Sequence, residues 1–130
     1  MILIDTCAVV GLVEPRDGWH RKSCEDLAQL RGPFGVTDAV LVEAYFLLTH
    51  LYQRQRLHHT LGALSVQHIQ TSPLVWRRSQ EWIERYHEHQ PDCCDALLIQ
   101  YGIPIWTHDN EFRTIWRTLE GAPVPLALGA

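Results

Sequence analysis

The chain predicts an α/β fold, with a central, mostly parallel sheet of four to five short strands and helices on both faces. Two observations point there. The apolar runs Ile2-Leu3-Ile4 and Ile103-Pro104-Ile105-Trp106 are short and nearly unbroken, as strands buried on both faces are. Between such runs lie longer segments with helical spacing, and strands alternating with helices favour parallel pairing.

Taken in order, Ile2–Ile4 reads as a first strand running into Asp5-Thr6, a good helix cap. Ala8–Val13 continues as an apolar helix, broken at Pro15, Asp17 and Gly18. Trp19–Arg31 is amphipathic, with Trp19, Cys24, Leu27, Ala28 and Leu30 on its apolar face, and Gly32-Pro33 stops it. Phe34–Val36 is a second strand. Thr37-Asp38 then opens a helix in which Ala39, Val40, Val42, Phe46, Leu47 and His50 follow a helical spacing. Glu43 falls inside that stripe, where a carboxylate is expensive unless paired. Tyr52–Leu64 reads as a more polar helix and Ser65–Gln70 as a strand. Ser72-Pro73 starts a helix reaching about His89. After the break at Gln90-Pro91-Asp92 comes a short helix, Ala96–Tyr101, ended by Gly102. Ile103–Trp106 is the next strand, Thr107–Asn110 a polar loop at its end, and Glu111–Leu119 a last helix. The tail from Gly121 has room for a final strand at Val124–Leu128.

At 130 residues, the whole span 1–130 reads as one domain, long enough to bury a core without cross-links. No stretch approaches the ~20 apolar residues of a membrane span, and the opening run ends at Asp5, so no membrane association is expected and a cytoplasmic location is. Cys7, Cys24, Cys93 and Cys94 fit reduced thiols there. Neither they nor His58, His59, His87 and His89 make the two-part framework of a structural zinc site. The net charge of −4 opposes binding to a polyanion. The bases do cluster, however: Arg54 and Arg56 with His58 and His59, then Arg77, Arg78 and Arg85, then Arg113 and Arg117. Each cluster reads more readily as a solvated helix face than as an RNA track.

Carboxylates carry the chemistry. In open parallel sheets, sites form beyond the C-terminal ends of the strands. Asp5 follows the first strand, Asp109 follows the strand ending at Trp106, and Glu43 lies early in the helix after the second strand. Asp92 and Asp95, three apart, share one side of a helical turn. Singly, each has an ordinary explanation: Asp5 caps a helix, Asp92 and Asp95 make a capping box, and Asp109-Asn110 is a turn. Together they would converge on one cleft. Two charges ~4 Å apart repel by about 4 kcal/mol at an effective dielectric near 20. A divalent cation relieves this, and oxygen-only ligands favour Mg²⁺ or Mn²⁺. Phosphodiester hydrolysis is the natural chemistry of such a site, with the Thr6 hydroxyl orienting Asp5 or a bound water.

Four segments resemble the PIN-domain family, in particular the VapC-type toxins of bacterial toxin–antitoxin pairs. They are Ile2-Leu3-Ile4-Asp5-Thr6, Thr37-Asp38-Ala39-Val40-Leu41-Val42-Glu43, Asp95-Ala96-Leu97-Leu98-Ile99 and Thr107-His108-Asp109-Asn110-Glu111-Phe112. They occur in the family's order and span nearly the whole chain. The resemblance implies a PIN fold, divalent-metal endoribonuclease activity on RNA and inhibition by a cognate antitoxin protein. It assigns Asp5, Glu43, Asp95 and Asp109 as the acidic, metal-binding quartet, with Thr6 supporting and Glu111 a further acid. Cys7 departs from the Asn or Ser usual after Asp-Thr. The helix from Asp95 to Gly102 is about a turn shorter than typical, so Asp92 fits the distance to Asp109 while Asp95 fits the local pattern.

The leading expectation is thus an Mg²⁺- or Mn²⁺-dependent ribonuclease, the toxin of a toxin–antitoxin pair. The alternative is a binding or regulatory module that keeps the fold with impaired catalysis, motivated by Cys7, the short helix and the negative charge. A phospho-acceptor receiver domain is disfavoured, because the only lysine, Lys22, lies in the second helix. The Trp- and Leu-bearing region from Leu51 to Trp82 either fills the core or forms a homodimer face.

Overall fold

Four strands, β1 (Ile2–Ile4), β2 (Phe34–Thr37), β3 (Gln67–Ile69) and β4 (Ile105–Trp106), pair into one parallel sheet in the order β3-β2-β1-β4. This is seen in a computed structural model that describes residues 1–129. Leu3, Ile4, Val36, Ile105 and Trp106 are all buried, so the unbroken apolar runs belong to strands covered on both sides. β3 is the edge strand, and its Gln67 and His68 face solvent, as an edge requires. The expected tail strand shrinks to a single parallel bridge, Leu126 beside Ile105. Pro123 and Pro125 lack the N–H groups a longer ladder would need.

The helices are α1 (Thr6–Val13), α2 (His20–Gln29), α3 (Asp38–Leu47), α4 (Leu51–Ala63), α5 (Pro73–Arg85), α6 (Cys93–Ile99) and α7 (Glu111–Thr114). Side chains cap several of them. Thr37 accepts from the Val40 amide at α3, Ser72 from Val75 at α5, and Asp92 from Asp95 at α6. α1 and α2 meet at Gly11, where an added Cβ would lie 2.3 Å from Ser23 Oγ. One hydrophobic cluster joins β1, β2, β4, α1, α3 and α6. At its C-terminal end, Trp82 and Trp116 pack edge to face with centroids 5.0 Å apart, and Trp82 Nε1 donates to the Arg117 carbonyl at 2.7 Å. No helix among the described residues is long and apolar enough to cross a membrane.

The structure changes four expectations. Trp19 lies at the N-terminus of α2 and is 47% exposed, instead of lying on an inward face. α3 ends at Leu47, and its inward line is Val40, Ala44 and, just beyond the end, Leu48; Val42 and Phe46 are 71% and 83% exposed. Glu43 is therefore only half-buried, beside the core line and not within it. α5 stops at Arg85, a 3-10 turn covers His87–His89, and α6 begins at Cys93, three residues before Ala96. Finally, α7 is a single turn, because the chain swings round to bury Trp116. Of the Leu51–Trp82 region, Trp82 fills the core, while Leu51, Leu74 and Trp76 stay exposed.

Candidate active site

The chain leaves β1 toward β2 and returns, after β3, to the other side of β1 as β4. The gap between the C-terminal ends of β1 and β4 is thus the topological switch point, the usual ligand position in open α/β sheets. Asp5 stands at the end of β1. Thr107, His108 and Asp109 follow β4.

Asp5 is 5% exposed and closely held. Its Oδ1 accepts from the Thr6 amide at 2.8 Å, and its Oδ2 accepts from Thr107 Oγ1 at 2.7 Å and from Cys7 Sγ at 3.6 Å. Thr6 thus supports Asp5 through its backbone, while its hydroxyl lies 3.8 Å from Cys94 Sγ. Thr107 Oγ1 also accepts from the Asp109 amide at 3.0 Å, so one hydroxyl ties the two strand ends together. Asp109 Oδ1 accepts from the Glu111 amide at 2.9 Å. Glu111 sits in the first turn of α7, half-buried.

Asp92 and Asp95 occupy different positions. Asp92 is exposed and caps α6. Asp95, in the first turn of α6, is 7% exposed, and among the described residues no hydrogen-bond donor reaches its carboxyl. Burial, then the charges of Asp5, Asp92, Asp109 and Glu43, push Asp95 up to about 9. Burial likewise raises Asp5 to about 6, against the lowering effect of Thr107 and Thr6. Acids from four separate segments therefore share one electrostatic neighbourhood, and no Lys or Arg forms an ion pair with any of them among the described residues.

That donor set is hard oxygen, suited to Mg²⁺ or Mn²⁺. The spacing is open: among the described residues, no three His, Cys, Asp or Glu side chains gather closely enough to form a ligand set by themselves. An ion that keeps several waters and takes one or two carboxylates fits this arrangement better than one needing a closed cage.

Sequence reasoning misses the contacts of three neighbours, of which only Cys7 carries a signal, as a departure from the Asn or Ser usual after Asp-Thr. Thr107 lies in the expected polar loop, and its hydroxyl bridges Asp5 and the Asp109 backbone. Cys7 fits tightly, with its Sγ accepting from the His108 amide at 3.3 Å and lying 3.5 Å from Thr107 Oγ1. Burial, with the Asp5 charge second, raises its thiol to about 12, so it stays protonated and donates to Asp5. The third is a buried network behind the loop. His108 Nε2 lies 2.8 Å from Ser23 Oγ, and Asp26 accepts from Lys22 at 2.5 Å and from Trp106 Nε1 at 3.2 Å. Ser23, His108 and Asp26 suggest a hydrolytic triad by type, but Ser23 is fully buried and no substrate reaches it. On the other side, an apolar groove lined by Ala39, Val42, Phe46, Trp76 and Leu97 runs up to Glu43.

No family model and no curated protein matches the chain. Solved structures do. A VapC toxin of Mycobacterium tuberculosis, described as cleaving the sarcin-ricin loop, superposes with a TM-score of 0.74 at 20% identity, over 88% of this chain and 94% of that one. A toxin–antitoxin complex from Klebsiella pneumoniae gives 0.61 at 17%, over 85% and 88%. A VapBC complex of Rickettsia felis bound to promoter DNA gives 0.62 at 16%, over 88% and 93%. At these identities the likeness establishes the fold: the chain has the PIN-like architecture of VapC toxins.

Proposed function

We propose that this chain is a metal-dependent endoribonuclease that hydrolyses RNA phosphodiester bonds, the toxin of a toxin–antitoxin pair. The observation that carries the reading is the cation-free cluster of Asp5, Asp95, Asp109 and Glu43 at the switch point of a VapC-like sheet. A buried carboxyl with no donor, surrounded by other acids, is costly for the protein alone and favourable for one that binds a hard dication.

One or two of Asp5, Asp95, Asp109 and Glu43 would ligate Mg²⁺ or Mn²⁺ directly and the rest through bound waters that complete its shell, with Asp92 and Glu111 as supporting acids. A bound ion supplies an acidified water and a clamp on a phosphate oxygen. The chain's own part is positioning. Thr107 and the Thr6 amide fix Asp5, the Glu111 amide fixes Asp109, and Cys7 keeps the β1 and β4 ends in register. The exposed apolar residues Val42, Phe46 and Trp76 beside Glu43 support a protein partner, and by analogy with the Klebsiella complex we take it to be an antitoxin that covers this edge.

In the test, purified protein is incubated with mixed RNA and Mn²⁺. Cleavage is expected, abolished by EDTA and by Asp5→Asn, with the variant's circular dichroism and melting unchanged in kind. Undiminished cleavage in EDTA would sink the reading. Cys7 and the open spacing of the acids favour a second reading, a binding module with impaired catalysis; it predicts weak or no Mn²⁺ binding, no stabilisation of the fold by Mn²⁺, and no RNA cleavage.

A further inference from the structure

A cleft of about 360 Å³ lies beside the end of β4, and its wall includes Thr107 and His108, the residues between β4 and Asp109. Trp19 also lines it. One face of the indole lies on the His108 ring, centroids 4.6 Å apart and 14° from parallel, so the area it exposes is its other face and edge. The platform is fixed: the Trp19 amide donates to Asp17 Oδ2 at 2.9 Å, and His108 Nε2 is held by the buried Ser23 hydroxyl. An aromatic face held rigid and left half open is a surface on which another flat ring can stack.

The polar lining narrows the ligand. Arg113 borders the cleft and has no carboxylate partner among the described residues; one terminal nitrogen donates to the Leu128 carbonyl at 3.3 Å, and its buried Nε has no hydrogen-bond partner. Lys22, by contrast, is paired with Asp26 and adds little net charge. Exposed Asn110 offers an amide with both donors and an acceptor. A flat π-surface, a guanidinium with no carboxylate partner among the described residues and an amide together match a nucleotide: base on indole, phosphate by arginine, base edge against the amide.

We propose that this cleft binds one unpaired base of the RNA substrate, next to the phosphate held at the carboxylates, stacked on Trp19 with Arg113 beside its own phosphate. The inference rests on the nuclease reading above and deepens it. Thr107 makes the two sites contiguous, since it lines the cleft while donating to Asp5 Oδ2 at 2.7 Å. Stacking on a neutral ring also suits a chain of net charge −4, because it depends little on overall electrostatic attraction.

The test uses the full chain, a short fluorescein-labelled single-stranded RNA and two readouts: anisotropy at low salt in EDTA, and KM for cleavage in Mn²⁺. Trp19→Ala should weaken binding and raise KM by about tenfold, and Trp19→Phe should restore most of both, which a general folding defect would not do. An abasic position in the RNA should weaken wild-type binding by a similar factor and leave Trp19→Ala unaffected. If wild type and Trp19→Ala bind and cleave RNA alike, the cleft proposal is overturned while the nuclease stands; a Trp19 effect on affinity for a partner protein alone has the same consequence. Trp19-dependent binding without any cleavage would uphold the cleft and remove the nuclease.

Discussion

Thr107 shows how one side chain organises the site. Its hydroxyl donates to Asp5 Oδ2 and accepts from the Asp109 amide, so it can hold both strand ends only as a hydroxyl. Thr107→Val keeps the shape and removes both bonds. Activity should fall about 10–100-fold, the usual cost of losing a group that orients a metal ligand, while Thr107→Ser retains most of it; an unimpaired Val variant would show that Asp5 needs no such support. Asp95 makes a different prediction, about stability. Its carboxyl is raised from 3.8 to about 9 in the fold, mainly by burial. The folded state therefore keeps a proton that the unfolded chain releases, so this contribution is complete below about pH 4 and is lost as pH climbs toward 9. His108, lowered by burial, acts in the opposite sense near its ordinary 6.5. Glu14 and Glu120, lowered by Gln53 and Arg78 at the surface, act only at acid pH. Asp95→Asn isolates the effect. Without metal, its melting temperature should exceed the wild type's by a margin that widens from pH 5 to pH 8, and parallel curves would refute the assignment.

At the scale of elements, the junction of α1 and α2 is set by Gly11. A methyl there would press on Ser23 Oγ, and Ser23 is fully buried and bonded to His108, so it has nowhere to retreat. Gly11→Ala should cost about 1–3 kcal/mol, read from denaturant melts, and should loosen the Trp19 platform with it. Elements were unequally legible in the sequence. The strands were readable because Ile2–Ile4 and Ile105–Trp106 have no polar face. The caps at Thr37, Ser72 and Asp92 were readable because capping is local chemistry. The inward face of α3 was not, since Val42 and Phe46 are as apolar as Val40 and Ala44 and nothing local marks them as exposed. The same limit hid the bonds around Asp5. Cys7 and Thr107 are a hundred residues apart, and only the pairing of β1 with β4 brings them together. Asp5 and Asp109 could be placed because strand ends could; the hydrogen bonds that orient them could not.

For the molecule as a whole, the tension is between a hydrophobic core that holds the sheet together and a cluster of acids at its edge that pulls it apart. Trp82 measures the first. It is fully buried, packs on Tyr86 and Trp116, and bonds the Arg117 carbonyl, so Trp82→Ala should cost about 3–5 kcal/mol, a large share of a domain's stability of about 5–15 kcal/mol, read from denaturant melts. The acids measure the second, and their repulsion is the quantity a bound ion removes. An ion that binds only the folded chain stabilises it by about 2.7 kcal/mol at a hundredfold excess over its dissociation constant. For a chain of this size that is a melting shift on the order of 10 °C. Mn²⁺ should produce such a shift, largest above neutral pH where Asp5 and Asp95 most need compensation, and Asp5→Asn should reduce it sharply. Trp19→Ala, which touches the cleft and not the acids, should leave it intact. A Mn²⁺ titration that moves wild type and Asp5→Asn equally would mean the ion sits elsewhere, and one that moves neither would leave the acid cluster without a role in metal chemistry.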